Sequence, residues 1–167
     1  MKKINKYLII IFFVNLVFCV DKTGTTAAKF LSIGVGSKAV GMGGAFTSVA
    51  NDATAMYWNP AGISFYNNKE IYFNHSNWIA DISFDYFGVT IPLGGRATMG
   101  MNITSVTMDE METTRYGNED TGETFKAADY AFGATYAMNL TDRFSLGLNG
   151  KYIQQTIANS HARGMAL

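Results

Sequence analysis

The sequence predicts an all-β fold, an antiparallel transmembrane β-barrel wall preceded by a short helical plug. Three observations predict it. The chain opens on a basic, then apolar, export signal. From about residue 69 it alternates apolar with small polar residues at period two, in runs of about 10–12 residues. Between these lies a glycine- and alanine-rich stretch, Gly41 to Ser64, that is too broken for a long helix and too small for an ordinary strand.

The first element is residues 1–19. Lys2, Lys3 and Lys6 precede the apolar run Tyr7–Val20, and the polar "DKTGTT" follows. The run falls short of the ~18–20 residues that span a bilayer as a helix, and the pattern is that of a secretory signal peptide. Small residues at Val17 and Cys19 suit cleavage near Cys19. That cysteine is the only one in the chain, so the mature protein has no disulfide, thiolate nucleophile or cysteine metal site. Loss of the three lysines takes the basic count from 13 to 10 against 13 acidic residues, with no basic patch for nucleic acid. Aromatic residues are frequent at 14%, charged ones few at 16%, and there are only 2 prolines. In an exported chain without disulfides this composition points to membrane β structure, and so to the outer membrane of a diderm bacterium.

The second element is residues 20–66. Its glycines fail the phosphate-loop tests: Gly34-x-Gly36 is followed next by Gly41, which breaks G-x-G-x-x-G, and Ser37-Lys38 stands in the wrong order for a P-loop. The grammar is that of local structure. Asn51 or Asp52 can N-cap a helical turn over "ATAMYW". Asn59-Pro60 repeats the device, with Asn as cap, held out of the α region by the proline, and Pro at the first helical position. Gly41, Gly43 and Gly44 permit positive φ or close packing. With Tyr57, Trp58 and Gly62, these residues (Gly41, Gly43, Gly44, Asn51, Asp52, Tyr57, Trp58, Asn59, Pro60, Gly62) form a compact module able to fill a lumen, and are the candidate structural or gating site.

The third element, 67–167, is read as barrel strands near 69–76, 82–92, 96–107, 127–140 and 143–157, with a sixth beginning at "HARGMAL". One face of the fourth carries Tyr130, Phe132, Ala134, Tyr136, Met138 and Leu140; the other carries Ala131, Gly133, Thr135, Ala137 and Asn139. A soluble sheet would place Lys and Glu there, whereas a lumen favours Gly, Ser, Thr and Asn. Tyr72, Tyr86, Tyr116, Tyr130 and Tyr152 are candidates for interfacial girdles. "PLGGR" and "NLTDR" are expected tight turns; 74–81 and 108–129 are expected longer loops, the short-and-long rhythm of outer-membrane barrels. Since bacterial barrels start at about 8 strands, five and a fraction point to the front part of a longer protein.

Catalysis finds no foothold. His75 and His161 lie apart, without the spacing of a zinc site, and no G-x-S-x-G surrounds a serine. Asp109, Glu110, Glu112, Glu119, Asp120 and Glu123 lack a calcium-loop pattern and suit a solvated external loop. No enzyme, metal or cofactor is expected.

The residues also carry a resemblance. The "GSKAVGMGGAF" run at Gly36–Phe46, "ANDATA" at Ala50–Ala55 and "YWNPAG" at Tyr57–Gly62 together resemble the N-terminal segment of the PorV/PorQ family, whose barrels resemble the FadL long-chain fatty-acid transporters. The resemblance implies a 14-stranded barrel in full length, about five to six strands of it here, with the N-terminal segment as a plug in the lumen. It implies outer-membrane lipid, secretion machinery and cargo C-terminal signal domains as partners, in type IX protein export. A FadL-like channel taking up hydrophobic small molecules is the alternative, supported by "ISFDYFGVTI", which is apolar on both faces in places.

Overall fold

A computed structural model describes residues 27–65, 67–113 and 122–167. The signal-peptide expectation for 1–19 lies outside the described residues, as do Tyr116, Glu119 and Asp120. Six strands form one sheet: β1 (Glu70–Asn77), β2 (Ile82–Gly94), β3 (Ala97–Met108), β6 (Ala127–Thr141), β7 (Phe144–Ile157) and β8 (Ser160–Ala166). Their order is β1-β2-β3-β6-β7-β8, with every neighbouring pair antiparallel. The period-two pattern thus places each strand to within two residues. The expected external loop holds a further pairing, β4 (Met111–Glu112) with β5 (Thr124–Phe125), braced by Lys126 Nζ on Glu110 at 2.7 Å. Among the described residues no helix is long and apolar enough to cross a membrane.

The two expected tight turns lie at one end of the sheet. β2 and β3 are joined through Gly94 and Gly95, both at positive φ (87° and 67°), the conformation that matches the twist of a tight hairpin and that side chains resist. The adjacent β6–β7 turn is tied to it: Asn139 N–H donates to the Arg96 carbonyl at 2.8 Å, and Arg96 reaches Asp142 at 3.2 Å. At the opposite end the expected rhythm is only partly realised. Residues 74–76, covered by both the strand and the loop expectation, and Asn77, expected in the loop alone, all belong to β1, leaving a connection of 78–81 with a 3₁₀ turn at Ile79–Asp81. β7 and β8 are joined there by Ala158 and Asn159 alone. The long connection at that end is the one carrying β4 and β5. Strand pairing extended where the sequence shows only polar residues, because backbone bonding does not require apolar side chains.

Burial on the sheet is inverted relative to a soluble protein. On β6, Ala131, Gly133, Thr135 and Ala137 are buried while Phe132, Tyr136 and Leu140 are exposed. On β3, Thr98, Gly100, Asn102 and Thr104 are buried while Met99, Met101 and Ile103 are exposed. The N-terminal segment covers the small-residue face, termed the inner face below. Two girdle expectations are corrected here. Tyr72 and Tyr86 share this inner face, their rings 6.3 Å apart, and Tyr86 is fully buried. Each strand's parity forces this: Tyr86 lies in step with Gly88 and Thr90, not with Phe87 and Val89.

The turn geometry sets a test. Gly94→Ala is expected to cost about 1–2 kcal/mol, because it forces a Cβ into the left-handed region. Gly94→Asn is expected to cost clearly less, since asparagine tolerates that region. Urea unfolding midpoints of the two variants measure the difference.

Candidate functional site

The N-terminal segment runs along the inner face from the loop end of the sheet to the turn end. At the loop end, Ala28 N–H donates to Gln155 Oε1 at 3.2 Å, and Phe30 packs against Ala131 and Ile153. Val35 then packs with Phe84 and Tyr86. A one-turn helix at Ala55–Trp58 lies across the middle, where Tyr86 Oη donates to the Ala53 carbonyl at 3.4 Å. A 3₁₀ stretch, Pro60–Phe65, reaches the turn end. There Asn139 Nδ2 donates to the Ser64 carbonyl at 2.8 Å. The backbone groups that helices this short leave unpaired are thereby partly satisfied by the sheet.

Trp58 organises the segment's own shape. Its indole Nε1 donates to the Val35 carbonyl at 2.9 Å, and its ring meets Phe46 and Tyr57 edge-on, at 6.2 and 5.0 Å between centroids. The indole lies close against glycines: Cβ atoms on Gly34 and Gly44 would stand 3.4 and 3.6 Å from it. Gly44 also takes positive φ (81°), as does Gly43 (63°). Nothing in the structure requires glycine at Gly41, which ends the helix Ser37–Gly41 with open space beside it. Tyr57 Oη donates to the Leu31 carbonyl at 2.9 Å; burial pushes its phenol above the usual tyrosine value, which keeps it a neutral donor. Lys151 Nζ, from β7, stands 5.5 Å from the centre of the same ring, a cation–π distance.

The capping pattern is realised in part. Asp52, rather than Asn51, serves the turn before Ala55: its Oδ1 accepts from the Thr54 N–H at 2.9 Å and from the Thr54 hydroxyl. Asn51 Oδ1 instead accepts from Lys38 Nζ at 3.0 Å. Asn59 is extended (φ −157°), as a residue before proline should be. Its carbonyl accepts from Gly62 N–H at 2.8 Å, but its side chain does not cap. Asn59 Nδ2 donates to the Thr47 carbonyl at 3.1 Å, binding the two halves of the segment. Gly62 is packed so closely that a Cβ would overlap the Ala50 carbonyl oxygen. The structure therefore brings Asp52, Tyr57, Trp58, Asn59, Pro60 and Gly62 into one packed unit, with Gly44 beneath the indole.

Sequence reasoning missed the partners on the sheet. Met56 is fully buried and lies against β2 and β3 where Gly88 and Gly100 carry no side chain; a Cβ on Gly88 would come within 2.8 Å of its methyl carbon. Asn149 Nδ2 donates to the Met56 carbonyl at 2.7 Å and to Thr135 Oγ1 at 2.9 Å. Gly147 receives the Pro60–Ala61 backbone, in the space a Cβ would need. The available signal was parity: Gly88, Gly100, Gly147 and Asn149 all occupy the small-residue face. The apolar residues on both faces of "ISFDYFGVTI" have the same cause, since Phe84 and Tyr86 pack under this segment. Among the described residues no cluster of three metal-ligating side chains occurs, and three buried polar atoms, Glu70 Oε2, Thr90 Oγ1 and Asn149 Oδ1, have no protein partner. All three sit on the inner face.

The profile of a family described as type IX secretion system protein PorV matches residues 20–164. No curated protein and no solved structure matches the chain.

Two glycines of β7 separate packing from strand propensity. Gly147→Ala is expected to destabilise by about 1–3 kcal/mol, because the new methyl collides with backbone that cannot rotate away. Gly150→Ala, with open space beside it, is expected to be neutral or slightly stabilising. Chemical denaturation of the two variants distinguishes them; equal effects would rule out the contact.

Proposed function

The chain belongs to the PorV family of type IX secretion system proteins, and on that premise we propose that it is an outer-membrane β-barrel acting in protein export. In this reading residues 1–19 are the removed signal peptide, 20–66 a plug seated in the lumen, and 67–167 the first strands of the wall. The partners are outer-membrane lipid, the secretion machinery and cargo carrying a C-terminal signal domain.

The inverted sheet carries the reading. A surface of exposed Phe, Met, Leu and Ile along several adjacent strands is far larger than a soluble monomer tolerates, whereas hydrocarbon needs such a surface. The inner face is the complement, rich in Gly, Thr and Asn, as the polar interior of a barrel is. The plug assignment rests on the way Met56, Pro60–Ala61 and Ser64 sit on that face. The Trp58 and Asn59 contacts keep the segment in one shape, as a seal or gate requires. The double apolar character of β2 no longer favours an uptake channel, because plug packing accounts for it.

Leu148→Arg, in the middle of the exposed face, is expected to cost about 2–4 kcal/mol of barrel stability in lipid and to reduce the protein recovered in outer membranes. Asn159→Arg, exposed in the connection between β7 and β8, is expected to be nearly silent. Recovery of the unsubstituted full-length protein in a soluble periplasmic fraction would refute the membrane assignment. For the export role, the full-length protein should co-purify with secreted proteins bearing a C-terminal signal domain; bound lipid-like molecules with no such cargo would point to uptake instead.

A further inference from the structure

On the outer face, side chains that are cross-strand neighbours form rows, and one boundary between rows is abrupt. Phe73, Phe87, Ile103, Phe132, Tyr152 and Met165 are paired in sequence across all six strands. Two residues nearer the loop end, on the same face, the paired row is His75, Asp85, Ser105, Tyr130, Gln154 and Arg163. The row beyond it is Asn77, Ser83, Thr107, Ala128, Thr156 and His161. Thus one step along the face exchanges six apolar or aromatic side chains for a row in which only Tyr130 is aromatic and the rest are a His75–Asp85 pair in contact at 2.7 Å, a serine, a glutamine and an arginine.

The other border of the apolar surface is not parallel to this one. Next to β2 and β3 it ends at Leu93 and the turn, where Ala97 faces Met138. On β6 and β7 it continues beyond Met138 to Leu140 and Phe144, where Thr141 faces Phe144. At about 3.4 Å per residue, the apolar run measured along a strand is roughly 20 Å from Phe87 to Leu93 and about 27 Å from Phe132 to Leu140.

Resting on the membrane reading above, we propose that the outer lipid–water boundary follows the single row between Phe73–Met165 and His75–Arg163, so that the bilayer is thinner beside β1–β3 than beside β6–β7. The surface thereby recognised is the headgroup layer, drawn down to the His75–Asp85 pair. A flat boundary behaves differently. Strands about 4.8 Å apart and tilted by about 40° would shift it by about one residue per strand, in the sense of the lower border, and would sink Asp85 and Ser105 into hydrocarbon while leaving Gln154 in water.

Single cysteines in the full-length protein, reconstituted in phospholipid vesicles, test this with a membrane-impermeant maleimide, the unsubstituted protein giving the baseline. Asp85→Cys, Ser105→Cys and Gln154→Cys are expected to react at least about tenfold faster than Phe87→Cys, Ile103→Cys and Tyr152→Cys. Protection of Asp85→Cys and Ser105→Cys with Gln154→Cys still reactive would overturn the inference while leaving the membrane reading intact. Fast labelling at Met99→Cys and Leu148→Cys, deep in the apolar surface, would overturn both.

Discussion

The close approach of the N-terminal backbone to the sheet is the constraint on which the rest depends. The Pro60–Ala61 peptide sits where a side chain on Gly147 would stand, and Met56 fills the space over Gly88 and Gly100. A sheet that must admit a segment this closely has to be built of Gly, Ala, Thr and Asn where Met56 and Pro60–Ala61 rest, while Phe84 and Tyr86 fill the same face beside Val35. At those positions the large side chains fall on the other face by strand alternation. One packing demand thus accounts for both the small-residue face and the apolar one. Polar atoms cross the contact where they can be paired, as with Asn149 on the Met56 carbonyl and Asn139 on the Ser64 carbonyl. Such bonds fix register more than they add stability, since each replaces a bond to water.

Much of this was legible in the sequence. Alternation located all six strands, because a period of two with one apolar face suits a strand and does not suit a helix. The turn at Gly94–Gly95 was legible for a local reason, as was the extended Asn59 before Pro60. The inward direction of Tyr72 and Tyr86 could have been read from parity, but aromatic residues near strand ends suggested interfaces instead. The first connection looked longer than it is because "NHSN" has loop composition; the strand expectation to residue 76 was the better guide, since the backbone of Asn74–Asn77 simply continues pairing with β2.

The side-chain roles within 20–66 were less legible. Both Asn51 and Asn59 have the chemistry of a cap, and both are drawn to partners over ten residues away, Lys38 and Thr47. No local rule distinguishes a cap from a tether when the competing partner is tertiary. Trp58 could be recognised as unusual, but not as the ring that rests against Gly34 and Gly44, because that needs the chain to fold back on itself. Met56 was overlooked because one methionine in an alanine-rich stretch carries no pattern of its own.

The bonds that seat this segment span long stretches of chain. Ala28 reaches Gln155, Met56 reaches Asn149, and Ser64 reaches Asn139. This segment therefore has its binding surface completed only when β6 and β7 are paired. Until then its apolar residues, Phe30, Phe46, Met56 and Trp58 among them, have no sheet to cover them. Loop closure over such separations is slow compared with local pairing. Seating of this segment is thereby coupled to completion of the sheet: residues 28–64 take their final place only together with strands 75 or more residues further along the chain.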